Sequence, residues 1–170
     1  MSVLTYDFVG ESAYVSAVDD IRKALSFLKD DDYAYDMAIN EAVLNAAQYS
    51  IDGPDKARIH LEIHITNYDV FTTVSCATNP CDMFSYRERL RSIVAKPELS
   101  GMDWTDYVAD NDDASRGLWY MLSGTEYTYM HHLAQFVCLC TRNPCSSGTA
   151  TTKMRDLLMR FFIEKDGVLL

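Results

Sequence analysis

The sequence predicts an α+β fold: a two-layer sandwich in which a mixed, mostly antiparallel sheet carries helices on one face. Three observations lead there. Segments with apolar residues at helical spacing are separated from runs of hairpin-forming strands, the pattern of helices packed on one side of a sheet. The strands alternate: in "ARIHLEIHIT" (57–66), Ile59, Leu61, Ile63 and Ile65 share one face, while His60, Glu62 and His64 share the other. A sheet with one polar face is covered on one side only. At 170 residues, with 48% apolar and 24% charged residues, the chain is long enough to bury a core as a single domain over 1–170.

The elements follow in order. "VLTYDFV" alternates, with Leu4, Tyr6 and Phe8 on one face, and predicts an opening strand. From Glu11 to Lys29, Val15, Val18, Ile21, Leu25 and Leu28 recur at helical spacing, which predicts a helix with one buried stripe. After the polar break "KDDD", a second helix runs through "DMAINEAVLNAAQYS" (36–50) and ends at "IDGPDK", where Gly53 and Pro54 stop it. Residues 57–66 and 69–77 then form a strand pair around Asn67, Tyr68 and Asp69. "YRERLRSIV" places Tyr86, Leu90, Ile93 and Val94 at helical spacing, and the acidic "MDWTDYVADNDDAS" (102–115) is expected to be partly mobile. "RGLWYML" suggests a glycine turn that opens a helix. "TEYTYM" and "AQFVCLC" predict a second strand pair around "HHL", and Met154, Leu157, Leu158 and Phe161 predict a closing helix over 152–164.

Composition narrows the function classes. A net charge of −10 argues against nonspecific binding to nucleic acid or to an anionic membrane, both of which favour a basic face. No apolar run reaches membrane-spanning length, and "MSVLTYDFVGES" lacks the form of a signal peptide. Five cysteines without framework spacing fit a reduced, cytoplasmic protein. Cys138, Cys140 and Cys145, with Cys76 and Cys81 elsewhere, do not have the spacing of a zinc knuckle. His60 and His64 stand about 13 Å apart along a strand, too far to converge on one metal. Trp104, Trp119, Tyr127 and Tyr129 are expected to be core or partner contacts.

The second helix carries the chemistry. At 100° per residue, Ala34, Ala38, Glu41, Asn45 and Gln48 fall along one stripe. Its small residues let something approach closely, and Glu41 and Asn45, four apart, reach the same neighbourhood. The bland alternative is a solvent-exposed polar stripe. Ile39 and Val43 on one flank, with Met37 and Leu44 on another, argue that the helix is largely buried, where an unpaired carboxylate is costly.

"AINEAVLNAAQYS" resembles the N box of GHKL ATP-binding domains, and within that group it most resembles bacterial anti-sigma factors that act as serine/threonine protein kinases. "SRGLWYML" resembles that family's second glycine box. The similarity covers residues 3 to 140, with sharp matches in these two segments alone. It implies the histidine-kinase-like ATPase fold, a lid over 82–114, and Mg-ATP as cofactor. Glu41 would be the general base and Asn45 the magnesium ligand. Ser115, Arg116, Gly117 and Leu118 would contact the nucleotide, with Arg116 on a phosphate. The implied partners are a homodimer mate and a sigma factor or its small antagonist, with no nucleic acid or membrane.

The sequence also departs from that pattern. The family's Asp-x-Gly-x-Gly, whose Asp binds the adenine amino group, corresponds here to "SCATNPCDMF". Cys76 takes the Asp position, and Thr78 and Pro80 take the glycine positions. A thiol is a weak acceptor and does not replace a carboxylate. Asp82 would supply the charge only if the loop shifted. Ser115 replaces the usual first glycine of the second box. In the lid, Arg87, Arg89 and Arg91 form the densest basic cluster, while Asp106, Asp110, Asp112 and Asp113 crowd the approach to Arg116. "SGT" (147–149) competes with "AQFVCLC" for the end of the nucleotide site. The rival expectation is a pseudoenzyme that keeps the fold and binds a protein through 86–94 or through the open sheet face at His60.

Overall fold

The computed structural model describes residues 2–28, 33–110, 114–143 and 151–170. Along the chain run β1 (Ser2–Val9), α1 (Glu11–Leu25), α2 (Ala34–Gln48), β2 (Arg58–Ile65), β3 (Asp69–Cys76), α3 (Met83–Val94) and α4 (Trp104–Asp110). Then come α5 (Ala114–Ser123), β4 (Tyr127–His131), β5 (Phe136–Arg142), α6 (Met154–Leu158), β6 (Phe161–Lys165) and β7 (Val168–Leu169). The strands form one sheet in the order β1-β2-β3-β5-β4-β6-β7. Every pair is antiparallel except β4 with β6. The fold is α+β, with two layers and a mixed, mostly antiparallel sheet.

Alternation decides the layers. Ile59, Leu61 and Ile63 of β2, Val70 and Val74 of β3, and Val137 and Leu139 of β5 are buried against Ile21, Ile39, Val43, Leu90, Leu122 and Leu157 from the helices. Each such side chain contributes about 1.5–3 kcal/mol by leaving water, which makes this face the centre of stability. On the opposite face His60, Glu62 and His64 remain partly exposed. There His60 Nδ1 lies 2.9 Å from Asp7 Oδ1, and His64 Nε2 lies 2.5 Å from Glu62 Oε1.

Two expectations need correction. The closing helix over 152–164 is a five-residue helix, α6, and Phe161 belongs to β6, which lies parallel to β4. In "FFIEK" the buried residues are Phe161 and Ile163, a period of two that competes with the helical spacing counted from Met154. Asp166 and Gly167 then turn the chain with positive φ into β7. The acidic stretch is also held in place where it is described. Trp104 is wholly buried, its N–H donates to Thr152 O at 2.9 Å, and Asp103 Oδ2 meets Lys153 Nζ at 3.1 Å. No described helix is long and apolar enough to cross a membrane.

Candidate functional site

Helix α2 is fixed in rotation before any chemistry enters. Tyr35, Ile39, Ala42, Val43 and Ala47 are buried, and the Tyr35 hydroxyl meets Thr72 Oγ1 at 2.8 Å inside the core. Arg22 of α1 donates to Asp36 Oδ2 from Nε at 2.9 Å and from Nη2 at 2.8 Å. With those contacts on one side, the stripe of Ala34, Ala38, Glu41 and Asn45 turns toward α5.

Glycines on α5 and at its end make the approach possible. A Cβ built on Gly117 would lie 2.8 Å from Asn45 Nδ2 and 3.2 Å from Glu41 Oε2. One built on Gly124 would lie 2.1 Å from the Ala34 carbonyl oxygen and 3.0 Å from Ala38 Cβ. Later residues of α5 therefore meet earlier residues of α2, so the two helices run antiparallel along a small-residue seam. Gly117 is not the tip of a turn, as the sequence suggested; it is a buried residue in the first turn of α5. Its role is close approach, which brings Glu41, Asn45 and the start of α5 together.

Beside this meeting point lies a cavity of about 220 Å³. Asn45, Ala42, Ala46 and Tyr49 of the α2 side form one wall. Leu118 and Met121 of α5 form another, and Met83 and Tyr86 of α3 a third; Val74, Cys76, Phe136 and Val137 supply the sheet floor. Among the described residues no charged side chain lines it. Of the expected site residues, Asn45 and Leu118 line the cavity, while Glu41 and Gly117 sit against Asn45 just outside it. Arg116 is exposed on the same turn. The side chain of Ser115 lies outside the described residues.

Burial raises the Glu41 pKa above the ordinary carboxylate value, and the Arg116 charge works in the opposite direction. Cys76 faces the cavity with its thiol pushed up by burial, so it presents a neutral group there. Its segment is stapled at both ends. Cys76 N–H donates to Gln135 O at 3.1 Å, Thr78 Oγ1 donates to Ala134 O at 2.9 Å, and Asn79 N–H donates to Tyr49 O at 2.8 Å. Asp82 is elsewhere: it caps α3, accepting from Ser85 N–H at 3.1 Å and from the Ser85 hydroxyl at 2.6 Å.

The basic cluster of α3 does not reach the cavity. Arg87 is buried, bonded to Glu88 and to the Leu170 carbonyl; Arg89 lies over the Tyr86 ring; Arg91 meets Glu88 at 3.1 Å. Asp106 is exposed, and Asp112, Asp113, Cys145 and the "SGT" segment fall outside the described residues. Among the described residues no group of three His, Cys, Asp or Glu side chains is placed to hold a metal.

Sequence reasoning missed the apolar walls, Met83, Met121, Met130 and Phe136. Their only signal was methionine, a side chain suited to irregular gaps, at the start of α3 and one turn beyond Gly117. No family model matches this chain, and no curated protein matches it.

Proposed function

We propose that this chain is a nucleotide-dependent regulatory protein, of the kind its sequence resembles, that binds Mg-ATP and phosphorylates or sequesters a protein partner. One observation carries the reading. The two segments of resemblance, far apart in sequence, meet within van der Waals distance at Gly117 and Asn45, and a cavity opens beside them. A solvent-facing polar stripe would produce neither contact.

The residues fit most of such a ligand. At about 220 Å³ the cavity falls below the roughly 300–1,000 Å³ of a drug-sized site, so it takes a base and leaves the phosphates outside. Outside it lies the first turn of α5, and a helix N-terminus offers main-chain N–H groups and a positive dipole end that suit phosphate. Magnesium keeps most of its waters and phosphate oxygens, so the Asn45 side-chain oxygen suffices as its protein ligand. When bound, that ion neutralises charge on the transferring phosphoryl group. Arg116 would contact a phosphate. Glu41, made more basic by burial, would take the proton from a partner's serine hydroxyl.

A second reading, a catalytically inactive module that binds a protein without nucleotide, draws support from Cys76 and the uncharged lining. Among the described residues a purine amino group would find no carboxylate there. Its docking surface would be the open sheet face at His60, because Leu90 and Val94 of α3 are spent in the core. Calorimetric titration with Mg-ATP separates the two. Binding in the micromolar to millimolar range, weakened at least tenfold in Asn45→Ala, supports the nucleotide reading; no heat at millimolar ATP supports the module. Glu41→Gln should keep binding and lose phosphotransfer, and equal transfer would remove Glu41 from the mechanism.

A further inference from the structure

The cavity beside Asn45 is rich in sulfur. Met83, Met121 and Met130 line it together with Cys76 and Cys81, and all of these except Cys81 are buried. Thioether side chains fill irregular gaps and make favourable contacts with aromatic rings. Methionine-rich surfaces accept several partners because they repack around each. Polar groups on the cavity floor pair with the protein itself. The Cys76 thiol donates to Ala77 O at 3.8 Å and is hydrogen-bonded to the buried Ser50. Thr78 Oγ1 donates to Ala134 O at 2.9 Å. Asn79 directs both its main-chain N–H, at 2.8 Å, and its Nδ2, at 3.4 Å, to Tyr49 O.

We infer that the cavity holds the base of a purine nucleoside triphosphate by its faces, with the polar ring edge turned to water at the mouth, so that ATP, GTP and ITP are taken alike. The inference rests on the nucleotide reading above and names the substrate class of that site. Purines share a ring face and differ at the edge, where adenine shows an amino donor and guanine a carbonyl acceptor. A site that holds out a fixed hydrogen-bonding group to an edge rejects the wrong partner by about 10⁴–10⁵-fold, whereas an apolar pocket discriminates weakly. Contact with the ring face suits every base, because every base has one. The exposed lining residues Tyr49, Asn79, Cys81 and Gln135 mark the mouth. Water there pairs with a donor or an acceptor equally well. The phosphates, outside the cavity at the start of α5, are common to all three nucleotides and do not separate them.

Calorimetric titration of the full native chain with Mg-ATP, Mg-GTP, Mg-ITP and magnesium tripolyphosphate tests this. The three nucleotides should bind with dissociation constants within about tenfold of one another. Tripolyphosphate, which has no ring, should bind weaker than all three by about tenfold or more. Met121→Ala removes one contact with the ring face and should weaken the three nucleotides by a common factor. If Met121→Ala does not fold, the native titrations decide alone. A preference for one purine beyond about tenfold, or unequal weakening in Met121→Ala, would overturn the inference and leave the nucleotide reading standing. Tripolyphosphate binding as tightly as ATP would also overturn it, by placing the base outside the cavity. Binding of none of the three nucleotides would remove the nucleotide reading and the inference together.

Discussion

Helix α2 meets two different neighbours along one stripe. Toward its start, Ala34 and Ala38 press against Gly124, with no room for even a methyl group. Toward its end, Asn45 and Ala46 border a cavity of about 220 Å³. The stripe is continuous in sequence, yet one half is closed by a main chain and the other is left open. Polar residues sit where the closure stops. Glu41 and Asn45 touch α5 at Gly117, so the seam that packs the helices also sets the position of the two chemically capable side chains. Packing and site geometry are one contact here.

The closed half should respond most strongly to added volume. Gly124→Ala would drive a methyl group into the Ala34 carbonyl, which is main chain and cannot swing aside. Overpacking of this kind costs about 1–3 kcal/mol, equivalent to a fall in Tm of roughly 2–4 °C per kcal/mol for a chain of this size. Ala38→Leu, at a position with no exposure, should behave alike. Thermal unfolding at native stability in both variants would mean that the seam is not closed. Gly117→Ala is milder for the fold, because the nearest atom is the end of the Asn45 side chain. A helical Gly→Ala change also returns up to about 1 kcal/mol. Its expected mark is functional: displacement of the amide should weaken Mg-ATP binding at least tenfold, a change of about 1.4 kcal/mol, with a smaller change in Tm.

The open half should reverse the pattern. Ala46→Leu adds the same volume as Ala38→Leu but has a cavity to enter. Stability should fall by less than in Ala38→Leu, because the added methyl groups have open space to fill, while calorimetry should show loss of ligand binding. Equal destabilisation at positions 38 and 46 would erase the distinction between the two halves.

How much of this was legible depends on the signal in each segment. The strands β2 and β3 could be read because strict alternation has one structural meaning when a single face is buried. The small-residue stripe of α2 could be read as a surface of close approach. What approached could not, because the Gly124 contact joins residues distant in sequence and leaves no local trace. Gly117 was misread for a physical reason: glycine signals either backbone freedom or lack of a side chain, and here only the second applies. Phe161 fitted the helical spacing of Met154 and Leu157, but pairing with β4 fixed it as strand. Tertiary pairing overrode the local pattern. The cavity walls gathered from α3, α5, β3 and β5, so no single segment announced them.

The smallest effect expected concerns proton binding at the boundary between the halves. Burial raises the pKa of Glu41 above its ordinary value of 4.5, against the opposing charge of Arg116. The folded chain therefore holds this proton more tightly than the unfolded chain does. Between 4.5 and the raised folded value, the unfolded state has already released the proton, so stability falls as pH rises through that interval. Glu41→Gln has no such proton to lose. Denaturant titrations of both proteins from pH 4 upward should give a stability difference that grows in favour of the glutamine variant and then levels off. Because the site is only partly buried, solvent screening keeps the difference small. Parallel curves would mean that Glu41 meets water as freely as a surface glutamate, and the packing of α5 against it would then give it no added basicity with which to take a proton.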